Sequence, residues 1–118
     1  MIKSILIANR GEIACRIIKT SKKLGIKSSV IYSSEDENSL AVQMADHAFF
    51  LESKDGEKKE YLDTDQIISI ALKNKIEAIH PGYGFLSENA NFAKLVEDNG
   101  IKFIGCLLYT SDAADDVR

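Results

Sequence analysis

Short unbroken apolar runs alternate with stretches of helical period along this chain. Ile5-Leu6-Ile7-Ala8 is apolar without alternation, the pattern of a strand buried on both faces. Behind it Ile13, Ile17, Ile18 and Leu24 fall on one stripe, with Lys19, Lys22 and Lys23 off it, which predicts an amphipathic helix. Asn9 stands where a helix cap would, Glu12 completes a capping box, and Gly25 supplies a left-handed end. Residues 28–32 predict a second strand, Ser33-Ser34-Glu35-Asp36 a polar loop, residues 39–45 a short helix and residues 47–51 a third strand. The almost wholly polar stretch from Glu52 to Glu60 predicts a solvated loop. Asp63 and Gln66 form a second capping pair ahead of Ile67, Ile70 and Ala71. Ala78-Ile79 leads a fourth strand to His80. Ser87 caps a last helix carrying Phe92, Leu95 and Val96, Gly100 closes it, and residues 101–104 make a fifth strand. Such an alternation predicts an α/β fold, an open and mostly parallel five-stranded sheet with helices on both faces.

Composition narrows the reading. At 118 residues the chain has the size of one ordinary domain, with 45% hydrophobic and 28% charged residues. A net charge of −3 argues against nucleic acid as the main partner. Two cysteines, Cys15 and Cys106, make no disulfide framework. No cationic region with a long apolar run opens the chain, so a cytoplasm-like compartment and no membrane contact are expected, or the mitochondrial matrix in a eukaryote. Residues 1–105 form the expected domain. From Cys106 to Arg118 the periodicity stops, with three acids against one arginine. Cys106-Leu107-Leu108-Tyr109-Thr110-Ser111-Asp112-Ala113-Ala114-Asp115-Asp116 looks like a translated sequencing-library adapter, so residues 106–118 are expected to be a non-native or disordered tail.

Ligands of an open parallel sheet gather beyond the carboxyl ends of its strands. Three loops meet that edge: Asn9-Arg10-Gly11, Ser33 to Asp36, and His80-Pro81-Gly82-Tyr83-Gly84. A dinucleotide fingerprint fails, because the first loop holds only Gly11 where three glycines are required. Glu35 or Asp36 alone is a weak imitation of a ribose-binding acid. Arg10 carries a fork of donors suited to carboxylates and phosphates, or simply to solvent. Pro81 is the only proline, and Gly82 and Gly84 bracket Tyr83. That arrangement either presents an aromatic face to a ligand above the sheet or makes a tight structural turn. His80 alone reads more readily as a satisfied strand-end histidine than as a base. No second histidine or cysteine stands at metal-ligand spacing, so no metal site is expected. His47, Cys15 and Met44 are read as packing residues, and the lysines as a solvated helix face.

Two longer motifs carry a resemblance. Ile7-Ala8-Asn9-Arg10-Gly11-Glu12-Ile13-Ala14 with Arg16, and His80-Pro81-Gly82-Tyr83-Gly84-Phe85-Leu86-Ser87-Glu88-Asn89, resemble the signatures of the biotin carboxylase amino-terminal domain, with Ala45-Asp46, Tyr61-Leu62 and Phe103-Ile104-Gly105 on the same template. The resemblance covers Met1 to Gly105 and departs where the family has proline and this chain has Cys106. It implies the leading, Rossmann-like lobe of an ATP-grasp ligase. Such an enzyme activates bicarbonate with ATP and carboxylates biotin on a carrier domain, as the first half-reaction of an acyl-CoA carboxylase (acetyl-, propionyl- or methylcrotonyl-CoA). ATP and Mg²⁺ are then held by later domains, and no catalytic residue falls in this segment, which alone is expected to be inactive. Tyr83, flanked by Gly82 and Gly84, matches the family's biotin edge. Asn9, Arg10, His80 and Glu88 stand as possible active-site edge, and Arg16 matches a homodimer interface. The implied partners are a biotin carboxyl carrier domain, a carboxyltransferase component and a second copy. The alternatives are a pyruvate carboxylase segment, another ATP-grasp ligase, a non-catalytic dimerisation or binding lobe, and a receiver-like signalling module. The last lacks the acidic cluster it would need at Ala8-Asn9-Arg10.

Overall fold

The computed structural model describes residues 2–52, 63–82 and 90–105. Five strands form one parallel sheet in the order β3-β2-β1-β4-β5, with β1 Ser4–Ile7, β2 Lys27–Tyr32, β3 His47–Phe50, β4 Ala78–His80 and β5 Lys102–Phe103. The helices are α1 Gly11–Lys23, α2 Leu40–Met44, α3 Thr64–Lys73 and α4 Ala90–Asp98. The chain steps outward from β1 to β3, then returns through α3 to start β4 on the other side of β1. Strand order therefore reverses at β1, which places the topological switch point between β1 and β4.

Alternate residues of each central strand point to opposite faces, and each face has its own core. Leu6, Ala8, Ile31 and Ile79 pack with Ile67, Ile68 and Ala71 of α3 and with Phe92 and Val96 of α4. Ile7 and Val30 pack on the other side with Ala14 and Ile18 of α1 and Ala41 of α2. This two-sided burial is why β1 reads as an uninterrupted apolar run. Phe92 meets Phe103 edge to face, with ring centroids 5.8 Å apart, closing the α4 side at β5.

The strands lie where the apolar runs put them, with ends shifted by a residue. Hydrogen bonds continue past the assigned ends: Ala8 N donates to His80 O at 2.9 Å and Ile104 N to Ile79 O at 2.9 Å. The expected stripe of α1 needs correcting at its end. Leu24 is 64% exposed, because the helix stops before it, and Ser21 is buried instead, its hydroxyl bonded to Ile17 O. On α4, Leu95 is partly exposed and Ala93 is buried. Cys15 and Met44 pack against the α1–α2 core as expected. His47 does not pack inside: it is exposed on the edge strand and stacks on Phe49. The polar stretch from Ser34 to Asp36 is a single 3-10 turn rather than an open loop. The predicted Ser87 cap, the predicted loop beyond Glu52, Tyr61-Leu62, and the tail lie outside the described residues.

Asp63 accepts from Gln66 N at 3.1 Å, as the capping reading requires. Gly25 ends α1 at φ +73°, with Gly25 N bonded to Lys22 O and Ile26 N to Ser21 O. α3 ends in the same pattern, but with a lysine in the left-handed place: Lys75 has φ 56°, Lys75 N donates to Leu72 O and Ile76 N to Ala71 O. A side chain there costs about 1 kcal/mol that glycine avoids. Lys75→Gly is therefore expected to raise the urea midpoint with an unchanged slope.

Candidate functional site at the switch point

Asn9 leaves β1 at the switch point and is only 2% exposed. It does not cap α1. The position before the first helical residue belongs to Arg10, which makes no side-chain cap bond, and Glu12 is exposed beside Arg16. The Asn9 amide is drawn instead across the sheet edge. Its Nδ2 donates to Pro81 O at 2.7 Å, while its Oδ1 accepts from Arg10 N at 2.7 Å. A buried amide must find partners, and the strand-end carbonyl beside it competes successfully with the helix terminus.

Gly82 follows at φ +70°, a conformation that favours glycine. A methyl group on its Cα would lie 2.6 Å from Asn9 Nδ2 and 2.9 Å from Ile13 Cγ2. The turn is thus pressed against the β1–α1 loop. Gly82 N donates to His80 Nδ1 at 3.1 Å, so the half-buried imidazole is an acceptor at Nδ1 and neutral. Burial holds its pKa below the ordinary 6.5.

That shift has a sign. The unfolded chain binds the His80 proton more tightly than the folded one, so this histidine contributes stability above about pH 6.5 that is lost as pH falls towards its folded pKa. Unfolding free energy measured between pH 7 and 5 is expected to decline less steeply in His80→Asn than in the parent.

The second loop joins the site through Arg10. Its Nε and Nη2 donate to the two carboxylate oxygens of Asp36 at 2.8 and 2.7 Å, a bidentate pair with Arg10 half-exposed. Both the phosphate-facing reading of Arg10 and the ribose-binding reading of Asp36 are weakened, since each is engaged by the other. The structure therefore brings Asn9, Arg10, His80 and Gly82 together. Tyr83, Gly84 and Glu88 lie outside the described residues. Arg16 points away on α1, 3.8 Å from Glu12. Sequence reading missed Asp36 as the partner of Arg10 and Asp46 as a structural acid. Asp46 Oδ2 accepts from the N–H of buried Ser28, the second residue of β2, at 2.9 Å, which together with nearby Lys22 and Lys27 lowers its pKa. An open recess of about 490 Å³ lined by Phe50, Glu52, Gln66 and Lys73 lies by the edge strand, apart from these residues. Among the described residues no cluster of acids, histidines and cysteines could hold a metal ion, and no helix is long and apolar enough to cross a membrane.

A model of the family described as biotin carboxylase, N-terminal domain, matches residues 1–108. The chain belongs to that family. It is 51% identical over 104 residues to the mouse mitochondrial methylcrotonoyl-CoA carboxylase subunit alpha, covering 88% of this chain and 14% of that one. It is 51% identical over 105 residues to biotin carboxylase 1 of Bacillus subtilis, covering 89% of this chain and 23% of that one. Among solved structures, the biotin carboxylase domain dimer of Hydrogenobacter thermophilus 2-oxoglutarate carboxylase, in complex with MgADP, ADP and bicarbonate, superposes with a TM-score of 0.85 at 45% identity, over 95% of this chain and 24% of that one. The chain thus spans a minor part of the relatives it matches. Membership of the biotin carboxylase family accounts for the parallel sheet and both long motifs, and it sets aside the receiver-module alternative.

Proposed function

We propose that this chain serves as the leading lobe of a biotin carboxylase and forms one edge of the site where biotin is carboxylated at the expense of ATP and bicarbonate. The observation that carries the reading is the switch point itself: a family-matched lobe in which the start of the second signature is fixed by the first. The three groups that the reading implies fit unequally. Magnesium has no cluster of ligands among the described residues, and Arg10 is paired with Asp36, so ATP and its metal are assigned to other parts of the enzyme and no step is drawn through them here. Biotin fits better, because Gly82 holds the chain close to the sheet edge and Tyr83 follows it with a flat face suited to a bicyclic ring.

Biotin would supply the ureido nitrogen that accepts the carboxyl group. This chain's own part is binding and orientation. By the family resemblance Gly82 and Gly84 would clear space and Tyr83 would hold the ring, with Asn9, Arg10, His80 and Glu88 assigned to the border of the site. Arg16, exposed on α1, is assigned to contact with a second copy. The carrier domain and the carboxyltransferase component are the proposed partners. The acceptor is left unassigned, since relatives named for methylcrotonoyl-CoA and for 2-oxoglutarate match this lobe about equally well. Residues 106–118 are proposed to lie outside the functional lobe.

The test is a chimera. Residues 1–105 replace the matching segment of the Bacillus subtilis biotin carboxylase, and bicarbonate-dependent ADP release is followed with and without biotin. Biotin-stimulated release supports the reading, and a folded chimera without stimulation contradicts it. The 118-residue chain alone is expected to release none.

A further inference from the structure

The two hydrogen bonds at the switch point share one peptide group. Pro81 O and Gly82 N belong to the same plane, and they face opposite ways because the bond is trans. The carbonyl accepts from Asn9 Nδ2 at 2.7 Å, and the N–H donates to His80 Nδ1 at 3.1 Å. One side chain comes from the end of β1 and the other from the end of β4, so neighbouring strands grip the plane from both sides. Rotating this plane would break both bonds together. Gly82 itself is backed by the Asn9 side chain, which leaves no room for a methyl group on its Cα.

We propose that Asn9 and His80 are positioning residues that clamp the Pro81–Gly82 peptide and so fix the backbone of the biotin edge. The inference rests on the reading of this edge given above. Neither side chain need touch the reacting atoms. His80 acts here as a hydrogen-bond acceptor at Nδ1 and not as a base. Its imidazole must carry its proton on Nε2, and Asn9 must present its nitrogen, not its oxygen, to Pro81. The charged side chains that the neighbouring loops bring to the same edge, Arg10 and Asp36, are bonded to each other.

Two measurements test the clamp, one of which does not depend on biotin. In the 118-residue chain, nitrogen–proton correlation spectra of His80 are expected to show Nδ1 unprotonated at pH 7.5; a proton on Nδ1 overturns the proposal. In the chimera, His80→Ala is expected to raise the KM for biotin about tenfold with the KM for ATP changed less than about twofold. His80→Asn, whose Oδ1 can stand in for Nδ1, restores most of that loss. Parallel rises in both constants, or no rescue by asparagine, would show a merely structural histidine. If the unsubstituted chimera lacks biotin-stimulated turnover, the functional reading fails, and the spectra still decide whether the clamp exists.

Discussion

Gly82→Ala is expected to destabilise the lobe by about 3 kcal/mol, the sum of a left-handed backbone penalty and overpacking against a close neighbour. The penalty arises because Gly82 sits at φ +70°. The overpacking arises because the new methyl group would come within 2.6 Å of Asn9 Nδ2 and 2.9 Å of Ile13 Cγ2. Gly25 provides the control. Its φ is +73°, and a methyl group there would meet nothing within 4 Å. Gly25→Ala should therefore lose only the backbone part, about 1–2 kcal/mol. Urea unfolding of both variants separates the two contributions. Equal losses would mean that the turn is not pressed against the first loop, and the account of the switch point would be wrong.

Asn9→Leu should cost about 2–3 kcal/mol, because a side chain of similar size leaves the buried Pro81 carbonyl without its donor. The same substitution removes the acceptor of Arg10 N. Asn9 and Gly82 touch, so their effects should not add. A double variant is expected to lose less than the sum by at least about 0.5 kcal/mol. Strict additivity would contradict the contact.

These two positions also mark where sequence reading stops. The parallel sheet was legible because burial on both faces leaves Ile5-Leu6-Ile7 and Val30-Ile31 without polar interruption. The helices were legible from their apolar spacing and, at Asp63, from a cap formed within one turn. Asn9 looked like such a cap and is not one. Its partner Pro81 is 72 residues away, and local pattern carries no trace of a bond that the fold alone creates. Arg10 reads in sequence as a fork for carboxylates, phosphates or solvent alike, and nothing local selects Asp36, 26 residues on, over Glu35; the 3-10 turn that carries Asp36 to it is set by the fold. His80 was recognised as a satisfied strand-end histidine. What satisfies it, a backbone N–H two residues ahead, required the left-handed turn at Gly82.

The same division holds for function. Motif residues that face one another across the switch point, Asn9 with Pro81 and Gly82, are visible in sequence only as two separate signatures. Their junction gives each a physical role, in that one strand end fixes the turn that the other strand end begins. Arg10 and Asp36 then tie the β2 loop to the same edge, at about 1 kcal/mol or less for a half-exposed pair.

The central claim is that the loop leaving β4 forms the biotin edge, and Tyr83→Ala in the chimera tests it most directly. Steady-state ADP release is measured against biotin and against ATP. The account predicts a KM for biotin raised about tenfold or more, through loss of an aromatic face, with the KM for ATP changed less than about twofold. A variant with biotin kinetics like those of the unsubstituted chimera, or with both constants raised alike, would contradict it.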